Sequence, residues 1–157
     1  MLKHVVTLAA LVLVCTAQDC ATFTQIVVSP GAGVPVDSAA QAALAVAARL
    51  ATRRGLQPLE RGDLAKEPWT RCSAAYRLGY RGETAALSLC EQVSNGEVQF
   101  GLAEHTIRFT PRADSLRREL LDSLRAQFGA THVRECRPHG WRGRWRCRAS
   151  AESPPAV

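Results

Sequence analysis

Two segments with the apolar periodicity of a surface helix, separated by several β-rich runs, constrain the fold of this chain most. The first covers residues 38–54, where small apolar side chains recur at spacings of three and four. Ser38 and Gln41 have the spacing of a capping box, in which each side chain bonds to the backbone amide of the other residue. Gly55 supplies the residue type that ends helices in the left-handed conformation. The pattern therefore predicts an amphipathic helix that begins at Ser38.

The second helical segment has a more complete set of end signals. Thr110 is a preferred N-cap residue, Pro111 fits the first helical position because its missing amide costs nothing there, and Gly129 ends the segment. The apolar stripe consists of Leu116, Leu120, Leu121, Leu124 and Phe128. Asp114 and Arg118 lie four residues apart on the outer side, where we expect an ion pair.

Short runs rich in β-branched and aromatic residues predict the strands of a sheet. They cover residues 22–29, 56–59, 69–78, 83–93, a run that starts at 98, 131–137 and 145–150. Asn95-Gly96, between two of these runs, is the strongest short signal for a two-residue hairpin. Apolar positions in the next run change parity, which predicts a bulge within residues 101–106 that carries Glu104 and His105.

The composition is that of one globular domain. The chain has 157 residues, of which 46% are hydrophobic and 22% charged, so it has enough apolar surface for a core. Two amphipathic helices separated by antiparallel strands favour an α+β fold. We expect a two-layer sandwich with both helices on one face of an antiparallel sheet. A ferredoxin-like fold with additional elements is one candidate for this arrangement. The single domain would cover residues 18–150, and residues 151–157 would form a disordered tail.

Residues 1–17 have the pattern of a bacterial export signal. Lys3 precedes a ten-residue apolar run, and small residues follow as far as Ala17. Cleavage after Ala17 would release a soluble protein into the periplasm, whereas lipidation of Cys15 would anchor the protein in the envelope. Val14 departs from the small residue that lipoprotein processing prefers before the cysteine, and an uncleaved N-terminal helix is a third alternative. The run is shorter than the roughly 20 residues of a transmembrane helix, so no transmembrane span is expected.

The six cysteines fit an exported protein, because disulfides persist in oxidising compartments. Cys72 and Cys90 flank one glycine-containing turn at near-equal distances. Cys136 and Cys147 flank a second such turn. A hairpin would bring each pair within bridging distance, so we predict two disulfides, one from each pair. Cys20 has no evident partner, and since the cysteines and histidines lack the spacing of a zinc site, no metal or other cofactor is expected.

The net charge of +6 is concentrated near the C-terminus, because residues 130–157 carry six arginines and two glutamates while residues 18–129 are close to neutral. In a hairpin closed by the second cysteine pair, alternate arginines share one face, the tryptophans share the other, and Glu135 lies opposite Arg148. The predicted anion-binding residues are Arg137, Arg142, Arg144, Arg146, Arg148, Trp141 and Trp145. Guanidinium forks bind phosphate or carboxylate bidentately. In the competing interpretation the tryptophans attach the hairpin to the core and the arginines form an ordinary solvated surface.

No motif identifies a catalytic site. Nothing in the sequence places His105, His132 or His139 near an acid, a base or a nucleophile, so no catalytic residue is predicted. We expect a non-catalytic envelope protein that acts as a binding or adaptor module for a protein partner or an anionic envelope ligand, nucleic acid being less favoured. Two alternatives stay open, namely a secreted inhibitor of another enzyme and a small hydrolase or nuclease that uses these histidines.

Overall fold

The computed structural model describes residues 22–58, 74–79, 86–94, 96–104, 108–139 and 144–148. Outside these residues lie the predicted leader with Cys15, the predicted tail, and Cys20, Cys72, His105, Trp141 and Arg142. The described elements are β1 (Thr22–Val28), α1 (Val36–Arg53), β2 (Gln57–Pro58), β3 (Ala74–Gly79), β4 (Ala86–Ser94), β5 (Glu97–Glu104), α2 (Pro111–Phe128), a 3-10 helix (Ala130–His132), β6 (Val133–His139) and β7 (Arg144–Arg148).

The strands form one seven-stranded sheet in the order β2-β3-β4-β5-β1-β6-β7. Every neighbouring pair is antiparallel. With two helices beside an antiparallel sheet, the protein has the predicted α+β class. Neither helix among the described residues is long and apolar enough to cross a membrane.

The hydrophobic core lies between both helices and one face of the sheet. Side chains alternate along a strand, so every second residue of β1, β5 and β6 points to this face. The largest buried side chains of the core are Ile26, Val28, Leu50, Val98, Phe100, Leu102, Leu116, Leu120 and Leu124. The leucine stripe predicted for the second helix therefore packs on the sheet, and the small residues of α1 allow that helix to approach it closely.

The two helices begin differently from each other. The α2 helix starts as predicted, with the Thr110 hydroxyl accepting a hydrogen bond from the Ala113 amide at 3.3 Å. The α1 helix starts at Val36 with Pro35 at the N-cap and no side-chain cap, so the prediction of a capping box that begins the helix at Ser38 was wrong. Pro35 itself lies outside the helix, with φ −60° and ψ 136°, and its carbonyl accepts the first helical hydrogen bond from the Ala39 amide at 3.1 Å, so Ser38 already lies within the first turn.

The predicted bulge is also absent from the part of β5 that the structure describes. Residues 97–104 pair with β4 without interruption, and the pairing with β1 is regular up to Glu104. The bulge prediction is wrong for residues 101–104, because each of them has a single partner in both neighbouring strands, β1 and β4, whereas residues 105 and 106 of the predicted range, including His105, lie outside the described residues. Glu104 instead lies in the regular strand, fully buried, and its carboxylate accepts hydrogen bonds from the Thr110 amide at 2.7 Å and the Thr110 hydroxyl at 2.9 Å.

Two hairpins follow the predicted register. Ser94 pairs with Glu97 on either side of the Asn-Gly turn, and Gly96 has a φ of +75°, a conformation that glycine adopts without strain. In the C-terminal hairpin Cys136 pairs with Cys147, and the two form the predicted disulfide. The predicted Cys72–Cys90 disulfide stays a prediction, and the strand register sets Ala75 opposite Cys90.

Candidate anion-binding site

The β6–β7 hairpin gathers arginines on the side of the sheet that carries the helices. Glu135 lies opposite Arg148, and Arg137 lies opposite Arg146, as the sequence register predicted. Glu135 and Arg137 lie two and four positions after the core residue Val133, so their side chains point to the same face of the sheet as Val133. Their cross-strand partners in β7 point to that face as well. Three arginine positions therefore share the helix-covered face with Glu135 at the edge of the sheet.

The Glu135 carboxylate already accepts three hydrogen bonds from other side chains of the protein. It accepts hydrogen bonds from Arg117 Nη1 at 2.8 Å, from Arg137 Nε at 2.9 Å and from the Thr24 hydroxyl at 2.9 Å. Burial alone would raise the pKa of Glu135, but the hydrogen bond from Arg137, the charge of Arg117 and the hydrogen bond from Thr24 outweigh it and hold the pKa below its ordinary value. Glu135 is therefore ionised at neutral pH and has little capacity left to neutralise further arginines.

Arg146 and Arg148, in contrast, have exposed side chains. Among the described residues, no carboxylate lies within ion-pair distance of either guanidinium. Together with Arg137 they line a shallow pocket of about 230 Å³, with Glu135 and Pro138 completing its wall. We call these five residues the basic groove. Its arginines present more donors than the one carboxylate can accept.

A second depression of about 540 Å³ adjoins the basic groove and shares Arg137 with it. Arg108 and Arg118 line its far side, at the start of α2. Asp114 also lines it but is paired, since Arg117 contacts it at 2.8 Å and Arg118 at 3.1 Å. The hydrogen bond and charge of Arg117, followed by the charge of Arg118, outweigh burial and lower the pKa of Asp114. Three arginines and one carboxylate thus line this depression.

Trp145 lies on the opposite face of the hairpin, as the strand period predicts. Its ring meets Phe23 edge to face, with centroids 5.1 Å apart, yet 45% of the residue stays exposed. The Phe23 contact agrees with the interpretation that this tryptophan attaches the hairpin to the sheet. The exposed half remains available to a partner. Of the other predicted site residues, Arg144 belongs to β7 at a position with the same parity as Arg146.

The residues weighed for catalysis do not gather among the described residues. His132 ends the 3-10 helix and His139 ends β6, so their positions lie roughly 20 Å apart along the strand. Arg134 is bound to Glu97 at 2.8 Å through both carboxylate oxygens. The Glu104 carboxylate serves the start of α2. Within the described ranges no three His, Cys, Asp or Glu side chains are arranged to hold a metal ion.

Sequence reasoning missed the role of Arg117, whose side chain is only 10% exposed. A signal was present, since Arg117 lies four residues after the buried Ala113 and one after the buried Leu116, close to the inward stripe of α2. A charged residue at such a position requires a buried partner. The helix pattern does not predict which residue that partner is, because Glu135 lies on a different element, strand β6.

In comparisons with known proteins, no family model, no curated protein and no solved structure matches the chain. The ferredoxin-like arrangement therefore stays a prediction, and the function is argued from the site itself.

Proposed function

We propose that this protein is an exported, non-catalytic binding module of the bacterial envelope that takes an anionic ligand in the basic groove. The observation that carries the proposal is the pair of exposed guanidiniums, Arg146 and Arg148, with no carboxylate partner among the described residues. Guanidinium groups bind phosphate or carboxylate through paired hydrogen bonds, which favours ligands rich in these groups.

The electrostatics of the hairpin favour the same conclusion. Arg137 and Arg146 are directly opposite each other in the ladder, and like charges at such positions destabilise a sheet by up to about 1 kcal/mol. Glu135 offsets part of this repulsion, but Arg117 and Thr24 already share its carboxylate. A bound anion would relieve the repulsion that remains.

The proposed location in the periplasm or outer envelope rests on the leader and the disulfide. Disulfides persist in oxidising compartments, and the Cys136–Cys147 bond joins the two strands that carry the basic groove. The intact mass of the protein recovered from a bacterial envelope fraction tests the location. A chain that begins at Gln18 supports soluble export, acylated Cys15 supports a lipid anchor, and an uncleaved chain found only in the cytosol contradicts export.

Titration with inorganic polyphosphate at several salt concentrations tests the binding proposal. We expect the Arg146→Ala/Arg148→Ala double variant to bind at least about tenfold more weakly and to lower the slope of log affinity against log salt by about 2, one unit for each lost contact. Arg49→Ala/Arg53→Ala is the charge control, because it removes the same charge from exposed positions on α1, where Glu119 loses its contact with Arg53 but keeps the one with Arg54.

The control variant should retain nearly the full affinity of the original protein. Two results would contradict the proposal. One is an absence of polyphosphate binding even at low salt, and the other is an equal loss in both double variants, which would show that only net charge matters.

A further inference from the structure

The β7 strand lies at one end of the sheet order among the described strands. A strand in this position presents unpaired backbone N–H and C=O groups along its outer side. The Cα atoms of Cys136 and Cys147 are 3.9 Å apart, the short spacing of a non-hydrogen-bonded pair in an antiparallel ladder. The backbone groups of Cys147, and by the strand period those of Trp145, are therefore directed away from β6.

The two faces of the sheet carry different side chains along this edge, arginines on one face and an aromatic residue on the other. Arg146 and Arg148 lie on the helix-covered face, exposed and without a carboxylate partner among the described residues. Trp145 lies on the other face with 45% of its surface exposed. The edge thus combines backbone groups that pair with no other described strand, two cations at alternate positions and one aromatic surface.

We propose that β7 recruits an extended acidic peptide segment, which adds to the sheet as an eighth strand. This inference rests on the proposed function and deepens it, because it names the ligand as a peptide with carboxylates at alternate positions and apolar residues between them. The carboxylates would face Arg146 and Arg148, and an apolar side chain would cover Trp145. Backbone hydrogen bonds to Trp145 and Cys147 would supply sequence-independent affinity.

The ladder geometry favours carboxylates opposite these arginines. Arg146 pairs with Arg137 on its inner side in a hydrogen-bonded position, so on its outer side it occupies a non-hydrogen-bonded position. Side chains of such pairs are closer together, at about 4.5 Å between Cα atoms. A glutamate in the added strand would therefore meet Arg146 at the closest cross-strand spacing and enter the basic groove.

A second copy of the chain is a poor occupant of the same edge. Two β7 strands related by a twofold axis through Arg146 would place Arg146 opposite itself and Arg144 opposite Arg148, and like charges directly opposite each other destabilise a pair. Charged residues on edge strands commonly prevent such self-association. The same arginines that repel another β7 attract a strand with acidic residues at alternate positions.

The test compares a blocked peptide of alternating Glu and Val with three other ligands. These are a peptide of the same composition with its glutamates adjacent, the alternating peptide N-methylated at the amides that would face β7, and inorganic polyphosphate. We expect the alternating peptide to bind, and the rearranged and N-methylated peptides to bind about tenfold more weakly, because each change removes paired contacts of that size. Polyphosphate has no peptide backbone, so its binding tests the proposed function without testing strand addition.

A charge exchange assigns the binding to this edge. Arg146→Glu/Arg148→Glu should lose the Glu-Val peptide and gain a Lys-Val peptide, while a retained thermal transition shows that the exposed substitutions leave the fold intact. If the alternating, rearranged and N-methylated peptides bind with the same affinity while polyphosphate still binds, strand addition is wrong and the proposed function survives. If neither polyphosphate nor peptide binds, both fail. If N-methylation matters but the charge exchange does not, the assignment to β7 is overturned.

Discussion

Replacing Glu135 with glutamine should weaken the fold and strengthen anion binding at the same time. The amide keeps an oxygen that accepts from Thr24 and Arg137, both of which bond to Oε1. Its NH₂ group replaces Oε2, the atom that accepts from Arg117 Nη1 at 2.8 Å. The substitution therefore removes the charge from two ion pairs, of which only the one with Arg117 joins two largely buried side chains, 10% and 12% exposed, while Arg137 is 57% exposed.

The expected cost of Glu135→Gln is about 2 kcal/mol in the free energy of unfolding. Breaking a buried ion pair costs about 3 to 5 kcal/mol when the remaining charge is left alone. Arg117 is not left alone, because Asp114 holds it at 2.8 Å, so a value below that range follows. For a domain of this size the midpoint of thermal unfolding should fall by about 4 to 8 °C.

Urea unfolding at a series of pH values measures this effect and its origin. The pKa of Glu135 is lowered in the folded protein from its ordinary value of 4.5. The stability that comes from its ionised form is therefore fully present above that value and is lost as the pH falls through the lowered pKa. The difference between the original protein and Glu135→Gln should accordingly shrink below pH 4.5.

Asp122→Asn is the control for this experiment. Its side chain is 74% exposed and lies 4.0 Å from Arg125, so its loss should change stability by less than about 0.5 kcal/mol. Glu135→Gln should also bind polyphosphate more tightly, since the basic groove loses its negative charge. Unchanged stability at neutral pH, or a deficit that stays constant down to pH 3, would refute the role assigned to Glu135.

Three further substitutions test other parts of the structure. Thr110→Ala should lower the free energy of unfolding by about 1 to 2 kcal/mol, because it removes the helix cap and a hydrogen bond to buried Glu104, while Thr110→Ser should stay close to the original in urea unfolding. Cys147→Ser should cost about 2 to 4 kcal/mol, and an oxidised protein that melts no higher than the reduced one would contradict this. Arg134→Met should cost about 1 kcal/mol at neutral pH. Burial raises the pKa of Glu97, but the hydrogen bonds from Ser29 and Arg134 outweigh burial, so the pKa lies below its ordinary value of 4.5. The loss of stability in Arg134→Met should therefore diminish as the pH falls below 4.5, and a loss that grows on acidification would oppose this account.

The features that could be predicted from sequence depend on neighbouring residues. The start of α2 at Pro111 and the Asn-Gly hairpin follow from the conformations that Thr, Pro and Gly favour. The disulfide between Cys136 and Cys147 follows from their symmetric placement about one turn. In each case the deciding contact lies within about a dozen residues, so tertiary packing had little to alter.

The two wrong predictions concern places where local signals compete. At the start of α1 the capping box had to compete with a proline three residues earlier, and the proline set the helix start. The parity change after Phe100 predicted a bulge within residues 101–106, whereas the strand stays regular as far as Glu104, where the described part of the strand ends. Periodicity alone does not distinguish a bulge from the end of a strand.

The sequence by itself determined the α+β class, the C-terminal hairpin and the concentration of arginines on it. Only the tertiary structure decided which of those arginines have a carboxylate partner among the described residues. Thr24 lies 111 residues from Glu135 in the chain, and Arg117 lies on a helix, yet both bond to the same carboxylate. Ion pairing depends on distances across the fold, and these are fixed only when the helix packs on the sheet. That packing engages Glu135 and leaves Arg146 and Arg148 exposed at the edge.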